Sequence, residues 1–213
     1  MPNTIKHSVR NIIVPMAGLG VRFKKNNFST IKPLIKVDHQ CILEKSILKL
    51  PVSTNKLIIL KNEIYEKYSN LRKLIKKNNF KSLLLNKNTL GQADTCYKAK
   101  KLINGSQDVF IHSCDYILRF SKEKFFRLKK TCDVIIFTYK LKSRIVKNYS
   151  DFAYCSFTKG DTVKKIVEKK AISNDPAKDQ MIVGTFWFKK AKNFFISCEI
   201  AKKKKYYVNK ELY

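Results

Sequence analysis

Short apolar runs alternate with amphipathic stretches along the first two-thirds of this 213-residue chain. The run at 11–15 reads as a strand, and 41–50 as a helix ended by Pro51. A strand at 56–60 precedes a charged amphipathic helix over 63–77. Then follow a strand at 81–85, a helix at 91–103, a strand at 108–112 and a helix at 121–130 whose N-cap is Ser121. Residues 133–139, rich in β-branched and aromatic side chains, predict another strand. Strands spaced by helices of this length imply βαβ units and a mostly parallel sheet. After about residue 150 the rhythm changes. Segments 152–158 and 163–169 flank Lys159-Gly160-Asp161, a hairpin-turn signal. A strand at 181–188 and a helix at 189–200 follow. The predicted fold is α/β: a Rossmann-like, doubly wound, mostly parallel sheet with helices on both faces, giving way to a more antiparallel portion. No Pro/Gly-rich linker separates the halves, so the whole chain, 1–213, reads as a single domain.

Composition narrows the class. Hydrophobic content of 44% supports a real core. No signal peptide and no window of membrane-spanning length is legible, which predicts a cytoplasmic protein with no membrane partner. Cys41, Cys96, Cys114, Cys132, Cys155 and Cys198 are scattered and form no C-x-x-C pair, and His7, His39 and His112 do not cluster with them. Reduced, mostly buried thiols are expected rather than a zinc site. The net charge of +29 is nearly all lysine, with six arginines. Lys, Asn and Ile share A/T-rich codons, so base composition accounts for the excess better than a polyanion-binding surface does. Nucleic-acid readers favour arginine, and no aromatic-interleaved basic motif is present, so no specific nucleic-acid partner is expected. The positive field would still attract phosphorylated substrates.

Four segments sit at predicted strand ends, where open α/β sheets bind ligands. The first, Pro15-Met16-Ala17-Gly18-Leu19-Gly20-Val21-Arg22-Phe23, is a loop of small residues that can bring backbone N–H groups against phosphate. It lacks the third glycine of a dinucleotide fingerprint and the Gly-Lys-Ser/Thr of a P-loop, and a plain tight turn is the alternative. The second is Lys32-Pro33-Leu34-Ile35. A residue before proline is held extended, so Lys32 is aimed consistently and, with Arg22, makes a candidate triphosphate clamp. The third is Thr89-Leu90-Gly91-Gln92-Ala93-Asp94-Thr95. There Gly91 permits close approach of a flat base and Gln92 can read its edge, an ordinary helix N-terminus being the alternative. The fourth ends the strand of Val109-Phe110-Ile111-His112 on Asp115, a lone carboxylate suited to Mg²⁺ or to plain turn capping.

Taken in order, these segments resemble the sugar-phosphate nucleotidyltransferase family, the NDP-sugar pyrophosphorylases, over nearly the whole chain. Val21 stands where the family usually has Thr or Ser, Ile31 where it has Pro, and Cys114 where Gly is common. Ile166-Val167-Glu168-Lys169 is similar to the family's Glu-Lys pair on a sugar-side strand, and Gly184-Thr185-Phe186-Trp187-Phe188 to the strand after it. An exposed edge strand of alternating charge is the other reading of 163–170. The resemblance implies transfer of a nucleoside monophosphate from a nucleoside triphosphate to a sugar-1-phosphate, with release of pyrophosphate. It implies Arg22 and Lys32 as catalytic cations and Ala17, Gly18, Gly20, Gly91 and Gln92 as nucleotide contacts. Glu168, Lys169 and Gly184 would bind the acceptor, and Asp115 would hold Mg²⁺. The partners implied are a nucleoside triphosphate and a phosphorylated sugar, with an oligomer left open. A second metal aspartate, common late in such chains, would fall beyond Tyr213, so a C-terminally truncated domain is expected. A cytidylyltransferase acting on a non-sugar phosphate such as phosphocholine, or an inactive nucleotide-binding module, remains the alternative.

Overall fold

The computed structural model describes residues 8–18, 30–140, 150, 152–158, 161–175 and 179–212. They fall into two compact units, one of residues 1–135 and 186–213 and the other of residues 136–185.

In the first unit, β1 (Ser8–Met16) lies between β4 (Val52–Lys61) and β6 (Val109–His112), and β5 (Lys81–Leu85) pairs with the far side of β4. Each of these pairings is parallel, and Ile13 stands opposite Leu57 on one side and Ile111 on the other. Burial of both faces explains why β1, β6 and the carboxyl half of β4 read as unbroken apolar runs rather than alternating ones. Ile13, Leu57, Ile59, Val109 and Ile111 face one core cluster with α4 (Gly91–Tyr97) and α6 (Ala191–Lys203). On the other face, Phe110 meets Phe125 of α5 (Lys122–Thr131) edge to face at 5.6 Å. The Ser121 side chain caps α5 as its sequence predicts, accepting from the Lys124 N–H at 3.1 Å. Asp108, just before β6, is a partly buried organiser. It accepts from the Arg10 backbone N–H at 2.7 Å and Trp187 Nε1 at 2.9 Å, and pairs with Lys129 at 2.7 Å.

Some local boundaries differ from the periodicity. The helix expected over 63–77 is two: α2 (Asn62–Lys67) and α3 (Ser69–Lys77), broken at an extended Tyr68. Arg72 donates to the carbonyls of Tyr65 and Glu66, satisfying the freed end of α2. The break leaves Leu71 and Ile75 of α3 buried, whereas α2 buries nothing. The helix expected over 91–103 stops at Tyr97 and continues as a 3₁₀ turn, Lys100–Leu102. α1 (Ile42–Ile47) is shorter than expected and is preceded by a small hairpin of β2 (Lys36–Val37) and β3 (Gln40–Cys41). Asp38 and His39 turn that hairpin with φ of 49° and 68°, as a type I′ turn requires.

The second unit contains an antiparallel hairpin of β8 (Ala153–Phe157) and β9 (Val163–Glu168). β7 (Val134–Lys140) enters this unit from the first, and β10 (Gln180–Phe188) leaves it. Within the unit, β10 pairs antiparallel with β8 through Gln180 and Met181. The antiparallel portion expected after residue 150 is therefore present. At the carboxyl end of the chain, β11 (Tyr207–Val208) and β12 (Glu211–Leu212) form a second small hairpin around Asn209 and Lys210, both in the left-handed region. Leu212 is buried in the first unit's core. Among the described residues no helix is long and apolar enough to cross a membrane.

Candidate functional site

Of the sequence-predicted residues of the first unit, Ala17, Gly18 and Asp115 follow the carboxyl ends of β1 and β6, Gly91 and Gln92 open α4 after β5, and Lys32 stands on the turn before β2. Ala17 and Gly18 follow β1 directly, and among the described residues no atom comes within 4 Å of where a Cβ on Gly18 would project. Gly20 and Arg22 lie outside the described residues.

Lys32 opens a 3₁₀ turn, Lys32–Leu34, closed by hydrogen bonds from Leu34 N–H to Ile31 O at 2.9 Å and from Ile35 N–H to Lys32 O at 3.2 Å. The extended residue is Ile31 rather than Lys32, because burial of Pro33 and Leu34 folds the segment into a turn. Lys32 Nζ lies 2.5 Å from Asp115 Oδ2. The other oxygen, Oδ1, accepts from Ser113 Oγ at 2.5 Å. Burial pushes the Asp115 carboxyl up, but the bonds from Lys32 and Ser113 outweigh it and hold the group below its ordinary value. Beside it, burial lifts the Cys114 thiol to about 12 and drops His112 to about 4, so both neighbours are neutral at pH 7. An ionised Asp115 carboxylate paired with Lys32 thus sits where β6 ends. Among the described residues no cluster of three or more His, Cys, Asp or Glu side chains could hold a metal alone. One carboxylate still fits Mg²⁺, which completes its shell with water and phosphate oxygens.

The junction before α4 is held from within and from α6. Gly91 has φ +89°, which a side chain would strain. Asp94 accepts from the Leu90 N–H at 3.0 Å and pairs with Lys202 at 2.6 Å. Burial raises the Asp94 carboxyl, and the Lys202 and Leu90 contacts bring it below its ordinary value. Lys202 also lies over the Tyr97 ring at 4.0 Å, while Tyr97 donates to Glu199 at 2.8 Å. The group that approaches Gly91 is Glu211 of the terminal hairpin, whose Cβ is 3.0 Å from a Cβ built on the glycine. Leu212 anchors this contact by donating to Leu90 O at 2.7 Å. Gln92 follows in the first turn of α4, partly buried.

In the second unit, Glu168 ends β9 opposite Ala153 and is half-buried. Burial raises its carboxyl, with Lys169 partly offsetting the shift. Lys169 adopts φ +56° and donates its backbone N–H to Phe152 O at 2.9 Å. A lysine in the left-handed region costs energy, and such residues gather at functional sites. Asp179 accepts from the N–H groups of Ile172 and Ser173 at 2.7 and 3.1 Å and ties down the turn that follows Lys169. Gly184 sits within β10 at φ +65°, while the alternation of buried and half-buried positions runs through it unbroken; a glycine inside a strand marks a local bend or a close approach.

Sequence reading missed the supporting residues Ser113, Lys202, Glu211 and Asp179. Asp94 was inside a motif, and its back-bond to Leu90 spans four residues, one more than a capping box. Lys202 and Glu211 had no signal, since both reach α4 from the far end of the chain.

The first unit is a parallel α/β sheet in which Lys32 meets Asp115 just past the end of β6. The family model for nucleotidyl transferases matches residues 12–210, and the chain belongs to that family: it is a nucleotidyltransferase. A nucleoside-diphosphate-sugar pyrophosphorylase from Vibrio cholerae RC9 shares the fold at TM-score 0.70 and 19% identity, over 95% of this chain and 83% of that one. HddC from Yersinia pseudotuberculosis, complexed with GMP-PN, matches at TM-score 0.61 and 17% identity, over 87% of this chain and 79% of its own. A putative glucose-1-phosphate thymidylyltransferase from Bacillus anthracis, in complex with a sucrose, matches at 0.64 and 15%, over 87% and 72%. No curated relative matches the chain by sequence.

Proposed function

We propose that this chain transfers a nucleoside monophosphate from a nucleoside triphosphate to a sugar-1-phosphate. The Lys32–Asp115 pair at the end of β6 carries this reading: it brings the phosphate-binding cation and the metal carboxylate, 83 residues apart in sequence, within 2.5 Å of each other. An oxygen of the acceptor phosphate attacks the α-phosphorus, the bond from that phosphorus to the bridging oxygen breaks, and pyrophosphate leaves. The attacking oxygen is already anionic, so no general base is required, and catalysis rests on positioning and charge neutralisation. Loop amides at Ala17, Gly18 and Gly20 cradle the phosphates. Arg22 and Lys32 offset charge on the triphosphate and the departing pyrophosphate. Gln92 faces the base, and Gly91, whose open side is taken by Glu211, turns the chain into α4. Glu168 takes hydroxyls of the acceptor, Lys169 its phosphate, and Gly184 gives the acceptor room against β10. Held by Asp115, Mg²⁺ would neutralise charge across the reacting phosphates.

The family match runs through both units, which supports one nucleotidyltransferase domain across the chain. A nucleoside triphosphate and a phosphorylated sugar as substrates support a cytoplasmic reaction. The test is pyrophosphate release over a grid of nucleoside triphosphates and phosphorylated acceptors. Release with a sugar-1-phosphate supports the reading. Release with phosphocholine alone replaces the acceptor, and nucleotide binding without release makes the chain a binding module.

A further inference from the structure

Both oxygens of Asp115 carry donors: Ser113 Oγ on Oδ1 and Lys32 Nζ on Oδ2, each at 2.5 Å. The carboxylate side chain is 22% exposed and the lysine 35%, so water competes only partly with their attraction. An ammonium and a divalent cation cannot both hold Oδ2 at bonding distance, because like charges that close repel strongly. A serine hydroxyl can remain on its oxygen beside a metal. A lysine that also has an affinity for phosphate has somewhere else to go, and Asp115 does not. Lys32 stands on the turn before β2, outside the segment that carries Asp115, so it can swing away without disturbing β6.

We propose that Lys32 excludes divalent metal from Asp115 until a triphosphate draws the lysine off, so that metal and nucleotide engage the site together. This rests on the phosphate and metal roles given above. It assigns Lys32 a positioning role on the enzyme's own carboxylate in addition to its contact with substrate. The consequence is thermodynamic coupling. Nucleotide raises metal affinity at Asp115, and metal at Asp115 raises nucleotide affinity by the same factor.

The test is titration with Mn²⁺, followed by loss of the free-ion electron paramagnetic resonance signal. It uses the full chain, Lys32→Met, Lys32→Arg and Asp115→Asn, with folding checked by circular dichroism. Without nucleotide, Lys32→Met should bind Mn²⁺ about tenfold or more tightly than wild type, within the usual range of such couplings. Lys32→Arg, which preserves the pair, should stay near wild type, and Asp115→Asn should remove the gain when combined with Lys32→Met. Should Lys32→Met fail to fold, Lys32→Gln makes the same comparison. Equal Mn²⁺ affinity in wild type and Lys32→Met overturns the exclusion. The functional reading survives that result if Mn²⁺ binding with a non-hydrolysable triphosphate still depends on Asp115. No Asp115-dependent Mn²⁺ binding under any condition overturns both.

Discussion

The central parallel strands of the first unit, β1, β4 and β6, bury far more of their side chains than β9, one strand of the second unit's hairpin, does. Ile12, Ile13, Val14, Ile59 and Leu60 are fully buried, and the site residues beside them are fixed by short polar contacts such as Lys32–Asp115 and Asp94–Lys202. The first four residues of β9 are all exposed, and Glu168 and Lys169 are positioned instead by backbone bonds, a left-handed turn and Asp179. On the proposed function, the triphosphate, the same in shape whatever base it carries, meets a rigid, doubly covered sheet. An acceptor varies, and a hairpin whose outer residues carry little packing can vary with it at small cost to the fold.

The largest effect should separate the two roles. Lys32→Ala should keep its circular dichroism spectrum and lower turnover about 10²–10³-fold, the usual loss for a charge partner of a developing anion. Near-normal turnover would remove Lys32 from the chemistry and sink the assignment that rests on it. Packing gives the second contrast. Ile59→Ala, at a fully buried position, should cost about 2–5 kcal/mol in denaturant unfolding. Ile166→Ala, 48% exposed on β9, should stay within about 0.5 kcal/mol. Equal costs would erase the distinction drawn above.

Glu168→Gln sharpens it further. Steady-state kinetics should show the Michaelis constant for the phosphorylated acceptor rising roughly tenfold, as expected on losing a charged hydrogen bond, while nucleotide binding holds. Because burial raises the Glu168 carboxyl, its ionised form opposes folding above that raised value, and the penalty fades as pH falls through it. The amide variant should therefore melt at a slightly higher temperature than wild type at neutral pH. A lower melting temperature would mean that Glu168 is structural.

The smallest effect has the opposite sign in the first unit. Asp115 is held below its ordinary value. Its ionised form stabilises the fold above the unfolded-state value of about 4, and that contribution is lost as pH falls through the depressed one. Thermal melts of wild type should fall more steeply below about pH 4 than those of Asp115→Asn. Parallel curves would show that the Lys32 pair adds nothing to stability.

How much was legible varied with the range of the interaction. The strand at 81–85 and the N-cap at Ser121 match the structure because alternation, apolar runs and capping act between residues near in sequence. The break at Tyr68 was hidden because helix periodicity continues through it, and only burial of Leu71 and Ile75 decides where the chain bends. Lys32 and Asp115 each stood out as a candidate, but nothing near either one announced that they touch.

The sequence by itself determined the class of fold, the order of its elements and the family, since an apolar strand, a glycine loop and a carboxylate at a strand end are local patterns. Only the tertiary structure decided that Lys32 closes on Asp115, that Lys202 secures α4, and that Glu211 fills the space Gly91 leaves open. Those contacts join segments far apart in the chain. Their geometry follows from parallel register and two-sided packing, which no local pattern encodes.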